Sequence, residues 1–141
     1  MIVCVGLATR DTIYAVPRLP EPDGNVVATE RVVGGGGPAA TAAVAIARLG
    51  VDVRFVGVID DGLEGVDVVA LPGRMVESTI LVHDGNRTIV TEKPQPFTAP
   101  GGTLEGAEWV HVDHVGYPAL PRDANARLSV DGGHPVPGLA L

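Results

Sequence analysis

The chain has 141 residues and a formal net charge of −7, with a mean hydropathy of +0.26: enough length for one core, and too apolar for intrinsic disorder. Its ten basic residues form no run and no aromatic interleaving, which argues against a nucleic-acid surface. Proline, glycine or charge interrupts every apolar stretch before the ~20 residues that a membrane span needs, and a single cysteine excludes a disulfide framework, so a reducing, cytoplasmic setting away from membranes is expected.

In chain order, residues 1–6 predict a short buried strand, because a β-branched run ends on Gly6; Cys4 within it reads as a small buried hydrophobe. Residues 12–16 alternate toward Pro17, and a Pro- and Gly-rich turn follows at 19–24. Residues 25–33 have strand composition with polar residues interleaved. They predict a partly exposed strand leading into Gly34-Gly35-Gly36-Gly37. Pro38 at a first helical position, Arg48 in the last turn and Gly50 as the stop bound a helix over 38–49. Residues 39–47 are small or apolar on every face, so this helix is expected to be covered on several sides. Residues 53–59 read as a second buried strand, closed by Asp60-Asp61-Gly62.

Residues 66–71 form a short apolar strand, and 78–83 with 87–91 flank Asp84-Gly85-Asn86 as a hairpin, glycine and asparagine being available for positive φ. A loop at 94–102, a strand at 109–115 and a strand at 128–130 complete the order. Glycine and proline make up 31 of 141 residues, about 22% against an average near 12%, so tight turns are frequent. The element order is that of an α/β protein with a central sheet and a separate β appendage. Two connections are short or interrupted for parallel crossovers, which take a dozen or more residues: only 60–65 separate two strands, and 116–127 is broken by Pro118 and Pro121.

A glycine run ending at a helix N-terminus lets a ligand approach the backbone and aims unsatisfied N–H groups at it, which suits anions and hydroxyl oxygens. No Lys-Ser/Thr follows, so it is not a Walker A loop, and the first βα passage holds only Gly6, so it is not a dinucleotide fingerprint. A purely structural glycine turn is the alternative. His111 and Asp113 share a strand face while His114 points away. Two ligands do not make a metal site, so none is expected. Asp131-Gly132-Gly133-His134 follows a strand and reads as a turn.

The stretch Gly36-Gly37-Pro38-Ala39-Ala40-Thr41-Ala42-Ala43, with Ala47-Arg48-Leu49-Gly50 and Arg54-Phe55-Val56-Gly57-Val58, resembles the first signature of the ribokinase-like (PfkB) carbohydrate kinases. Val5-Gly6-Leu7-Ala8-Thr9-Arg10-Asp11 is similar to that family's opening strand. Gly85-Asn86-Arg87-Thr88-Ile89-Val90 and Trp109-Val110-His111-Val112-Asp113 also resemble it, especially its ketohexokinase-like members. The resemblance implies ATP-dependent phosphoryl transfer to a sugar hydroxyl, with ATP and Mg2+ serving the full-length family. It also implies a large α/β domain and a small β-sheet lid that closes over the sugar and often forms a homodimer interface. By position, segments of about 12–33 and 78–91 are lid insertions in one partial ribokinase-like domain spanning 1–141.

On the same basis Asp11, Gly36, Gly37, Thr41 and Asp113 become sugar-binding candidates: a carboxylate can accept two hydroxyl hydrogen bonds, and the glycines offer backbone. Thr41 replaces the family's asparagine, Asp60 replaces a glycine, and the helix expected after Asp60-Asp61 is nearly absent. No catalytic residue is assigned, because the Gly-Ala-Gly-Asp-type motif that supplies the family's base and anion hole belongs to a C-terminal half absent from this sequence. The competing reading is a noncatalytic kinase relative that dimerises or binds a small metabolite. A Rossmann-type nucleotide domain is disfavoured by the glycine spacing.

Overall fold

A computed structural model describes residues 1–121 and 126–139. In chain order the elements are β1 (Ile2–Val5), β2 (Thr9–Ala15), β3 (Glu30–Gly36), α1 (Pro38–Arg48), β4 (Val53–Val58), β5 (Asp67–Leu71), β6 (Val76–His83), β7 (Asn86–Thr91), β8 (Trp109–Val112) and β9 (Arg127–Val130), with one 3-10 turn at Tyr117–Ala119 before β9. They form two sheets: a five-stranded one in the order β5-β4-β1-β8-β9, and a four-stranded one in the order β3-β2-β6-β7. Every pairing in the five-stranded sheet is parallel. In the smaller sheet β2 pairs antiparallel with β3 and parallel with β6, and β6–β7 is the expected hairpin.

β1 lies in the middle of the large sheet, which explains its uninterrupted apolar run: a central parallel strand is buried on both faces. One face presents Cys4 and Phe55 to Ala39, Ala40 and Ala43 of α1. The other presents Val3, Val5, Val56, Val110 and Val112 to Ala99, Phe97 and Tyr117. Among the described residues Phe55 is the one fully buried aromatic side chain, and the alanines of α1 let the helix lie close to the sheet.

Several expectations need correction. β3 begins at Glu30, later than expected, and continues through the glycines: Gly34, Gly35 and Gly36 pair with Asp11, Arg10 and Thr9 of β2. The neighbouring strand imposes extended geometry that glycine alone does not favour. Helix α1 is covered on one side only, since Thr41, Ala45 and Arg48 are exposed. The cause is the β4–β5 crossover, in which residues 59–66 connect two parallel strands with no helix between them. Among the described residues that flank of α1 faces this loop and the glycines of β3 across open space. In the hairpin, Asp84 (φ 47) and Gly85 (φ 71) take positive φ, so Asn86 is the first residue of β7 instead of a turn residue. β8 stops at Val112, and residues 122–125 of the following connection lie outside the described residues. Among the described residues no helix is long and apolar enough to cross a membrane.

Candidate functional site

The chain runs from the end of the central strand β1 into β2, which pairs with β3, and it passes from β3 into α1 through Gly37. This junction has φ 91 and ψ 136, a conformation that strains any L side chain, and a Cβ there would lie 2.7 Å from the Ala8 Cα. Glycine therefore seats the start of α1 against the Leu7–Ala8 backbone. One residue earlier, Asp11 lies over the Cα of Gly36, and an added Cβ would come within 2.7 Å of Thr9 Oγ1. The Thr9 hydroxyl donates to Asp11 Oδ1 at 2.7 Å, which holds the carboxylate flat on the glycine strand.

Asp113 behaves differently from its expected role as a sugar contact. It is fully buried, and its two oxygens accept four backbone N–H groups. Leu7 N donates at 2.7 Å and Ala39 N at 3.3 Å to Oδ2; Val115 N donates at 2.9 Å and Gly116 N at 2.8 Å to Oδ1. The last two bonds turn the chain sharply out of β8, so Asp113 is not on the strand face assumed for it beside His111. A carboxylate so engaged is a staple between the end of β1, the start of α1 and the end of β8, with no surface to offer a ligand.

The staple also corrects the expectation of unsatisfied donors at the helix start. Pro38 has no N–H, Ala39 donates to Asp113, and Ala40 and Thr41 donate to the carbonyls of Leu7 and Gly37 at 3.3 and 2.9 Å. Of the first-turn donors, those of Ala39 and Ala40 are thus spent on Asp113 and Leu7, and Thr41 makes the first ordinary helical bond.

Beside this junction lies a cleft of about 620 Å³, walled by Thr9, Arg10 and Gly34 to Gly36 on the strand side and by Ala40, Thr41, Val44, Ala45 and Arg48 on the helix side, with the 61–64 loop as its rim. Ile59, Leu63 and Met75 supply apolar wall. The volume falls within the ~300–1,000 Å³ typical of small-molecule sites. Of the five candidates, Gly36 and Thr41 line this cleft; Asp11 lies against Gly36, Gly37 forms the junction, and Asp113 is buried. The cleft exists because the β4–β5 crossover lacks a helix.

The ion pairs among five charged residues were not foreseen. Arg10 contacts Asp61 at 3.1 Å and Asp60 at 3.8 Å, and Arg48 contacts Glu64 at 3.7 Å. These pairs are exposed, so each contributes little stability, but together they neutralise the arginines along the cleft. The Asp60-Asp61 doublet was the only sequence signal for them; its partner Arg10 is far away in the chain. His111 Nδ1 lies 3.1 Å from Ser129 Oγ, and the His114 ring packs 4.7 Å from His134. Among the described residues no three His, Cys, Asp or Glu side chains are grouped as a metal site. Asp131 accepts from Gly133 N at 2.8 Å, making the expected turn. Burial pushes the Cys4 thiol up to about 12, which leaves it protonated and inert at neutral pH.

The family model described as pfkB family carbohydrate kinase matches residues 1–72. Among solved structures, a ribokinase from Cryptococcus neoformans in complex with ADP is 25% identical with a TM-score of 0.66, over 79% of this chain and 40% of that one. Arabidopsis thaliana ribokinase complexed with ribose and ATP is 22% identical with a TM-score of 0.60, over 85% and 46%. A Thermotoga maritima ribokinase is 20% identical with a TM-score of 0.69, over 99% and 54%. The chain thus spans about half the length of the solved chains it matches.

Proposed function

Because the chain belongs to the pfkB family of carbohydrate kinases, we propose that it is the acceptor-binding, lid-bearing portion of a cytoplasmic kinase that phosphorylates a sugar hydroxyl. The observation that carries this reading is the cleft between the glycine strand and α1, with Gly36 and Thr41 on its walls and the Asp11 carboxylate held against Gly36. Phosphoryl transfer depends chiefly on positioning and charge stabilisation, and this chain's share is positioning. Asp11 accepts hydroxyl hydrogen bonds and fixes one sugar face, Thr41 offers a hydroxyl in place of an amide, and the glycine backbone lets the ring approach closely.

When bound, MgATP supplies the transferred phosphoryl group. The residues described here do not fit it. The Ala39 and Ala40 donors at the start of α1 are taken by Asp113 and the Leu7 carbonyl, and no cluster of three metal-ligating side chains is present among the described residues. The base and anion hole are assigned to the remainder of a full-length kinase.

The smaller sheet is assigned as the lid, and a second copy of the chain as its partner. Register places Val32, Ile13, Ile80 and Ile89 in one row across all four strands, with Val32 and Ile89 nearly half exposed. An exposed apolar row of this kind suits a self-complementary contact.

Calorimetric titration with a panel of free pentoses and hexoses tests the sugar reading: at least one is expected to bind, and Asp11→Asn to weaken that sugar at least tenfold. Binding unaffected by Asp11→Asn refutes the assigned role. Turnover of MgATP and sugar by the 141-residue chain alone refutes the placement of the catalytic groups outside it.

A further inference from the structure

We propose that the cleft contains a separate apolar subsite, one helical turn beyond Thr41, that takes an alkyl or aryl substituent carried by the sugar. The inference rests on the sugar-binding reading above and adds a site that the glycine strand does not provide. It starts from the missing helix. Residues 59–66 join β4 to β5 directly, and the flank of α1 beside this short crossover is open. Thr41, Val44, Ala45 and Arg48 all line the cleft. Spaced three, four and seven positions along the helix, they form one stripe roughly 10 Å long at about 1.5 Å per residue. The 61–64 loop supplies the opposite wall, because Asp61 reaches Arg10 at 3.1 Å on the strand side and Glu64 reaches Arg48 at 3.7 Å on the helix side.

The floor of this groove is hydrocarbon. Ala40, Ile59 and Met75 are buried members of the core under α1, and the cleft opens onto them, with the half-buried Val44 and Leu63 alongside. None of these five side chains has an N–H or O–H to donate, and the Met75 thioether is at best a weak acceptor. Water there lacks the ~2–4 polar partners that hold it in place, so an apolar group displaces it favourably. Size points the same way. The cleft measures about 620 Å³, whereas a free hexose packed at interior density fills roughly 200 Å³. A sugar held at Gly36 and Thr41 thus leaves most of the cavity open, including its apolar floor. A nucleobase would leave its polar edge unpaired against these side chains, so the substituent that fits is hydrocarbon, such as a phenyl, benzyl or short alkyl group.

Benzyl alcohol tests the subsite without any sugar. Titrated into the whole chain and followed by the methyl resonances of Val44, Ile59, Leu63 and Met75, it is expected to give saturable shifts at these methyls. No saturable shift there, or equal shifts at the exposed Val32 and Ile89 of the smaller sheet, overturns the proposal. If the same methyls move on dilution of the ligand-free chain, a second copy fills the cleft and the proposal is likewise overturned. Calorimetric titration then compares phenyl with methyl β-D-glucopyranoside, and phenyl with methyl β-D-ribofuranoside. In at least one pair the phenyl glycoside is expected to bind at least tenfold tighter, about 1.4 kcal/mol. Methyl glycosides that bind without any gain from the phenyl ring overturn the proposal. If no sugar binds, free or glycosidic, while benzyl alcohol shifts the cleft methyls, the sugar reading fails and the apolar subsite stands. Ala45, exposed on the helix wall, can carry a ring into the cleft without entering the core, and Ala45→Phe is expected to weaken benzyl alcohol at least fivefold. A folded variant with unchanged affinity refutes the location; should it not fold, the wild-type titrations still decide.

Discussion

Replacing Asp113 by alanine removes the acceptor for four backbone donors at once. An unsatisfied buried donor costs roughly 1–3 kcal/mol, but the four are not equal. Gly116 N, buried at 2.8 Å, should cost most. Leu7 N is shorter at 2.7 Å but only partly buried, and Val115 N at 2.9 Å can also recruit water. Ala39 N is buried but long at 3.3 Å, so its bond contributes least when present. Together they give about 4 kcal/mol, a large fraction of the ~5–15 kcal/mol that holds a domain folded. Asp113→Asn keeps one carbonyl for two donors and sets an NH2 against the other two, so about half that loss is expected. Asp131→Ala is the control, because its carboxylate serves one exposed N–H in a turn; its cost should be about 0.5 kcal/mol or less. Urea unfolding followed by circular dichroism reads all three. With a slope near 2 kcal/mol/M, Asp113→Ala moves the midpoint down by roughly 2 M. Asp113 variants within ~0.5 kcal/mol of wild type would refute the staple, and an alanine variant no worse than the asparagine one would refute the donor accounting.

Gly37→Ala combines positive φ with overlap on the Leu7–Ala8 backbone, so a loss above about 3 kcal/mol is expected, whereas Gly35→Ala, with no atom within 4 Å of its added Cβ, should cost under about 1 kcal/mol in the same unfolding assay. Cys4 should resist thiol reagents at pH 8 until urea unfolds the chain. Its folded-state value of about 12 lies above the ordinary 9.0, so the unfolded chain gives up this proton first. The stabilisation is complete below pH 9 and is lost as pH rises toward 12, and wild type should lose up to about 1.4 kcal/mol per pH unit relative to Cys4→Val across that window. Ile89→Lys should weaken self-association in sedimentation equilibrium at least tenfold; an unchanged constant would remove the apolar row from the dimer interface.

Elements whose signals are local were legible in the sequence. The Pro38 start and Arg48 end of α1, the β6–β7 hairpin and the apolar runs of β1 and β4 follow from residues within one window. Features decided by distant partners were not. Glycine has poor strand propensity, and Gly34 to Gly36 are extended only because β2 pairs with them. An aspartate just past a strand looks like a ligand contact, and only the convergence of Leu7 and Ala39 on it reveals a staple. The cleft itself was hidden in an apparent defect: the crossover too short for a helix is what leaves the flank of α1 open.

The staple has a consequence for biosynthesis. Asp113 bonds to Leu7 across 106 positions of sequence, and β8 pairs with β1 across a similar span. Closing so long a loop is slow and late in folding. During translation Asp11, Gly36 and Thr41 leave the ribosome early, yet the Ala39 and Leu7 N–H groups lack their carboxylate acceptor until residue 113 emerges. A nascent chain arrested before that point carries the side chains of the site without its geometry, so acceptor binding appears abruptly with synthesis of β8 and the turn after it.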